Sequence, residues 1–172
     1  MSSWQGSTTC GSSTLVEVPS LGARGGGWVA LQFVLLLAIL VLGVVGPGWP
    51  HSARWWLKGA GVLLVYAGAF VIVKAARALG SSLTPYPAPA ENGELAEAGP
   101  YAVVRHPIYS GGILFAGGIA LALSPWALAG TAALALVWAF KARVEERFLA
   151  ARYPGYADYC TRTPYRLVPY VY

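Results

Sequence analysis

Charge is what this chain has least of. Of its 172 residues only 11% are Asp, Glu, Lys or Arg, against about 25% in an ordinary soluble domain. Hydrophobic residues make up 56%, and the mean hydropathy is +0.55. This balance excludes an ordinary soluble fold and implies a membrane protein. The net charge of +5 is modest, and the basic residues flank apolar runs, which argues against a nucleic-acid partner. Cysteine is also scarce. Cys10 and Cys160 stand far apart in polar segments, form no metal-spaced pair, and are expected to be free thiols. A secretory leader is not expected, because the first apolar run begins only near Trp28 and no small-residue cleavage pattern follows it. Residues 1–27 are rich in Ser, Thr and Gly and poor in large apolar groups, so they read as a disordered tail ahead of a domain at 28–172.

Long apolar runs fill most of the rest. Trp28 to Val45 carries no charge, and Gln32 is its one strongly polar residue. At about 1.5 Å per residue the run can cross a hydrocarbon core of about 30 Å. Gly46-Pro47-Gly48-Trp49-Pro50 stops it. His51, Arg54, Trp55 and Trp56 then read as an interfacial belt. A second span runs over about 55–75, with Lys58 able to snorkel outward and Gly59, Gly61 and Gly68 allowing close helix contact. Third and fourth spans at 107–123 and 125–143 form a hairpin around Ser124-Pro125. The expected fold is all-α: a polytopic membrane protein of four transmembrane helices.

Orientation follows from Lys and Arg. Lys74, Arg77 and Arg105 lie in the second connection, and Lys141, Arg143, Arg147, Arg152, Arg162 and Arg166 follow the fourth span, whereas the hairpin tip has none. The positive-inside rule places the long connection and both termini in the cytoplasm. Arg54 and Lys58 run against it. His51 and His106 fall on opposite sides, so no metal site is expected.

The connection over 74–105 is long and polar. Pro85, Pro87 and Pro89 favour an extended path, and a linker of this length often serves function. It ends in Gly-Pro-Tyr-Ala-Val-Val-Arg-His-Pro-Ile-Tyr-Ser-Gly, residues 99–111. Pro107 suits the first turn of a helix, and the residue before it is pushed to an extended conformation. The free N–H groups of that helix start and the Arg105 guanidinium would face one place, which suits an anion such as a carboxylate. The plainer reading makes Arg105 and His106 interfacial anchors.

Glu145 and Glu146 lie on a helix leaving the membrane. Glu145 can pair with Lys141 and Glu146 with Arg143 on that helix, or the two can form a negative pocket for a cationic ligand. The tail carries Tyr153, Tyr156, Tyr159, Tyr165, Tyr170 and Tyr172. It reads either as an aromatic segment on the membrane surface or as a lid.

The run at 99–111, the block Lys141 to Glu146 and the tail elements Tyr156, Tyr159, Arg162 and Thr163 together resemble the isoprenylcysteine carboxyl methyltransferase family and its phospholipid methyltransferase relatives. The resemblance covers roughly the last 95 residues, from Leu79 on. It departs at Ala102, where the family often has a basic residue, and residues 1–27 match nothing. It implies an integral-membrane enzyme using S-adenosylmethionine, bound in a cytoplasmic cofactor pocket by Tyr101, Arg105, His106, Pro107, Tyr109, Gly111, Glu145 and Glu146. Arg162 and His106 are the expected catalytic residues, with Arg162 near the acceptor's anionic group and Glu146 slightly preferred over Glu145 as the residue facing the cofactor. The implied reaction is in-line methyl transfer to an amphiphilic acceptor in the bilayer, first of all the carboxylate of a prenyl-cysteine-like molecule. Phospholipid amines and small thiols are the alternatives, and a non-catalytic small membrane protein is the reading from another class. A multi-pass location in a bacterial inner membrane is expected.

Overall fold

The computed structural model describes residues 19–171. The calls on a disordered segment and a free Cys10 that fall on residues 1–18 lie outside them. Five α-helices follow in order: α1 (Gly26–Val45), α2 (His51–Leu79), α3 (Pro107–Leu123), α4 (Pro125–Arg152) and the short α5 (Tyr156–Arg162). Single 3₁₀ turns sit at Gly80–Ser82 and Gly99–Ala102, and no strand occurs among the described residues. Three helical stretches, Gly26–Val45, His51–Ser82 and Pro125–Arg152, are long and apolar enough to cross a membrane, while the apolar α3 is shorter at 17 residues. The second helix begins at His51, four residues ahead of the expected span, because Pro50 sets the first turn rather than the tryptophan belt.

Proline and glycine place the helix ends as the sequence requires. Gly46 closes α1, its N–H reaching the Leu42 carbonyl. Pro107 opens α3 behind His106, whose backbone is neither helical nor extended (φ −126°, ψ 61°). Ser124 ends α3 and caps α4: its hydroxyl accepts from the Trp126 N–H at 3.3 Å and donates to the Pro47 carbonyl at 2.9 Å. That one buried side chain ties the two turns at this end of the bundle.

The helices pack antiparallel in the order α2, α3, α4, α1. Gly61 lies against Gly118, and Gly68 against Gly111. A Cβ on Gly61 would stand 2.5 Å from the Gly118 carbonyl oxygen, and one on Gly68 the same distance from the Phe115 nitrogen. Backbones this close need glycine on both faces, and in lipid such packing replaces the hydrophobic drive. Gly59, also expected at this contact, faces open space. Gly112 lies under the Trp138 ring. Ile39, Ala116, Ala120, Ala127, Leu134 and Trp138 form the central core. Val34, Leu37, Leu63, Tyr66 and Phe70 point outward and are well exposed, as lipid-facing side chains of α1 and α2 must be.

Antiparallel packing puts the start of α1, the end of α2, the start of α3 and the end of α4 at one end. The connection over 83–98 is held there by α4. Lys141 Nζ donates to the Pro85 carbonyl at 2.8 Å, the Tyr153 hydroxyl to Gly93 at 2.6 Å, and Arg152 to Glu91 at 2.7 Å. Ahead of α1 the chain is anchored by Trp28, whose indole N–H donates to the Pro19 carbonyl at 2.9 Å.

Candidate functional site

At that end a cavity of about 400 Å³ opens between the 82–96 connection, the starts of α1 and α3, and the ends of α2 and α4, with α5 beneath. This is within the usual range for small-molecule sites. Its wall is mixed: Leu79, Leu83 and Ile108 on one side, Tyr86, Tyr109 and Trp138 as aromatic surface, and His106, Lys141 and Glu145 as charge-bearing groups.

The two adjacent glutamates have parted company. Glu146 is 1% exposed and points away from the cavity into the protein. It accepts from Arg105 Nε at 2.8 Å and from Arg166 Nε at 2.9 Å, and His106 Nε2 lies 3.3 Å away. Its partners come from far along the chain, not from the helix neighbour the spacing suggested. Glu145 stands on the cavity wall with about a quarter of its side chain accessible, accepts from the Tyr109 hydroxyl at 2.7 Å, and lies 3.7 Å from His106 Nδ1. Lys141 turns to Gln32 at 2.7 Å and to the Pro85 carbonyl, with its ammonium over the Tyr109 ring. The structure thus puts Glu145, not the slightly preferred Glu146, on the cavity wall. Residues one apart on a helix point about 100° apart, and the inner direction belongs to Glu146.

Arg105 is a strut. Besides Glu146 its guanidinium donates to the carbonyls of Thr163 and Pro164, each at 2.8 Å. The backbone N–H groups of Arg105 and His106 donate to the carbonyls of Tyr165 and Arg166 at 2.9 Å. The tail is thus stitched beside the start of α3. Two guanidinium groups on one buried carboxylate offset its desolvation. His106, Tyr109 and Trp138 stack in series with ring centroids 5.5 Å apart.

Of the sequence-predicted residues, Tyr101, Arg105, His106, Tyr109 and Glu145 line the cavity. Glu146 braces them from behind. Pro107 is buried at the helix start, and Gly111 faces Gly68 and Ile72 of α2; neither reaches the wall. Arg162 lies away from the cavity wall. It sits 62% exposed in a 2.6 Å pair with Glu97, because α5 spends its inner face on Tyr156, Tyr159 and Cys160. The expectation of a free thiol at Cys160 is corrected: no free cysteine occurs among the described residues.

Sequence reasoning missed Arg166, Trp138 and Gln32. Gln32 left a signal, as a lone polar side chain in an apolar span: its carbonyl oxygen accepts from both Lys141 and the Trp138 indole. It also missed Tyr156 as a wall residue. Tyr156 is 1% exposed, and its hydroxyl has no hydrogen-bond partner. Burial pushes the hydroxyls of Tyr101, Tyr156 and Tyr159 well above their ordinary pKa, so all three remain protonated donors. Among the described residues no group of His, Cys, Asp and Glu could hold a metal ion.

Comparison with known proteins places the chain in a family. The cobalt-zinc-cadmium resistance protein CzcN of Cupriavidus metallidurans is 41% identical over 78 residues, which are 43% of this chain and 35% of that protein. The chain therefore matches about a third of that relative's length. The family described as phospholipid methyltransferase matches residues 56–155, from the second turn of α2 to the threshold of α5. With more than half its length inside that match, the chain belongs to the phospholipid methyltransferase family.

Proposed function

We propose that the protein is an integral-membrane methyltransferase that uses S-adenosylmethionine and acts on an amphiphilic acceptor held in the bilayer. One observation carries this beyond family membership: His106, Tyr109 and Glu145, from two helices, meet on the wall of one cavity. Anchoring charges placed only for the membrane surface would have no reason to converge there. In this reading α3 completes a fourth span, the cavity end faces the cytoplasm by the positive-inside rule, and the membrane is a bacterial inner membrane.

The donor set fits the cofactor. The Glu145 carboxylate supplies a counter-charge for a cationic ligand, and the rings of Tyr86, Tyr109 and Trp138 supply aromatic faces suited to a cation. The protonated hydroxyls of Tyr101 and Tyr156 offer donors to an anionic or carbonyl group, while that of Tyr159 donates to the Tyr101 carbonyl. When bound, S-adenosylmethionine would supply an electrophilic methyl group on sulfur.

The remaining residues position and shield. The 82–96 connection covers the cavity from the aqueous side, and the Glu146 network fixes His106 and the tail around it. An acceptor approaches opposite the departing sulfur, and the apolar residues Leu79, Leu83 and Ile108 of the cavity wall suit its chain. Methyl transfer depends chiefly on alignment, so this positioning is the main catalytic contribution. A carboxylate or thiolate acceptor needs no base; an amine must lose a proton, and His106 is the group placed to take it. Arg162 has no part in this reading.

The test is transfer from labelled S-adenosylmethionine to a panel of prenyl-cysteines, phospholipid amines and small thiols by the reconstituted full chain. Product with a lipophilic acceptor supports the proposal. Absence of cofactor binding by the folded protein overturns it.

A further inference from the structure

Among the described residues, the end of the bundle opposite the cavity is cationic and holds no acid. Every Asp and Glu among the described residues lies in the 91–97 connection, on the last turns of α4, or in α5. The sequence has no acidic residue from Val18 to Ala90 or from Ala98 to Val144. Yet the first turns of α2 carry His51, Arg54 and Lys58. Arg54 and Lys58 both lie over the Trp55 ring, with the Arg54 guanidinium carbon 5.4 Å and the Lys58 ammonium 5.2 Å from its centroid. Two like charges thus share one aromatic ring, with no carboxylate at this end among the described residues.

The same corner holds two further unmet donors. Arg54 Nε and the indole N–H of Trp49 are buried and have no hydrogen-bond acceptor. A buried donor without an acceptor carries a real cost, and a pair of cations near the hydrocarbon boundary carries a larger one. What the corner lacks is an oxyanion. Its surroundings say where one would come from. Lys58 lies about 10 Å along α2 from His51, and Trp55, Trp56 and Trp126 are all more than half exposed at the same level. Exposed tryptophans of this kind mark the headgroup layer.

We infer that Trp49, Arg54, Trp55 and Lys58 form a binding site for the headgroup phosphate of an anionic phospholipid, at the end of the bundle remote from the cavity. The guanidinium and the ammonium take the phosphate, while the Trp55 ring keeps both cations beside it. The Trp49 N–H is a further donor toward it. The site is independent of the proposed catalytic reading. It also accounts for the basic residues that oppose the orientation rule: their charge is matched by lipid.

The test uses the delipidated full chain in detergent, titrated with phosphatidylglycerol or phosphatidylcholine and read by native mass spectrometry. Each basic residue near an anionic lipid surface contributes about fivefold in affinity. The wild type is expected to hold phosphatidylglycerol at least about fivefold more tightly than phosphatidylcholine, and Arg54→Gln/Lys58→Gln to abolish that preference. Should the double variant fold poorly, Lys58→Gln alone, at a partly exposed position, carries the same test with about a fivefold loss. Equal retention of the two lipids by the wild type, or an undiminished preference in a folded variant, overturns the inference. Displacement of phosphatidylglycerol by millimolar inorganic phosphate also overturns it, because the corner would then be a free-anion site.

Discussion

The hydroxyl of Tyr109 donates to Glu145 Oε2 across 2.7 Å, joining the first turn of α3 to the last turns of α4 at the cavity wall. Glu145 keeps a second oxygen and part of its surface for a ligand. Its neighbour Glu146 is fully committed to Arg105, Arg166 and His106. The two glutamates should therefore respond differently to the same substitution.

Glu145→Gln should leave the protein folded and weaken S-adenosylmethionine binding. Truncating one partner of a buried charged contact commonly costs about 2–5 kcal/mol. Partial exposure of Glu145 places the loss at the low end, roughly tenfold in Kd or more. Isothermal titration in detergent measures it. Unchanged affinity would remove Glu145 from the cofactor site.

Glu146→Ala should instead act on stability. It strands two guanidinium groups, and breaking a buried pair from one side costs about 3–5 kcal/mol. The expected result is a clear fall in Tm, with the tail over 163–167 becoming open to protease. A variant with wild-type Tm that loses only ligand affinity would contradict the bracing role.

Tyr156→Phe separates binding from folding by the sign of its effects. Its hydroxyl has no partner, so removing it should leave the Tm of the ligand-free protein unchanged or slightly raised. Cofactor affinity should fall by about two- to tenfold, the worth of one neutral hydrogen bond. A drop in ligand-free Tm would show that the hydroxyl serves the fold.

Glycine substitutions test the α2–α3 contact. Gly61→Val or Gly68→Val places side-chain atoms inside the backbone of α3 and should prevent a stable bundle. Gly59→Ala meets nothing within 4 Å and should be neutral or stabilising by up to about 1 kcal/mol, as expected for a helix interior. Thermal denaturation of the three variants, measured side by side, decides it.

Much of this molecule was legible before its coordinates. The apolar runs, Gly46-Pro47, Pro107 and Ser124-Pro125 set the helices and their ends through local physics alone. Arg105, His106 and Glu145 were legible because titratable residues stand out in an apolar chain. What stayed hidden was pairing across the chain. Helical spacing offered Lys141 to Glu145 and Arg143 to Glu146, yet the charge on Glu146 is met by Arg105 and Arg166, 41 and 20 residues away. Arg162 and Arg166 look alike in sequence; only the direction of α5 and the chain after it sends one to the surface and the other into the network. Gly111 could have served a ligand or a helix, and only the approach of Gly68 decides for the helix.

The reach of Arg166 to Glu146 also sets an order of assembly. The arginine is made 20 residues after the glutamate it binds, which is about 1–4 seconds of synthesis at ordinary elongation rates. The helices before Arg166 are all made by then, but His106 and Arg105 have no carbonyls at 163–166 to hold until those residues emerge. The bracing of the cavity is therefore the last part of the molecule to take shape. A chain stopped short of Tyr165 would keep its helices and lack the brace on His106.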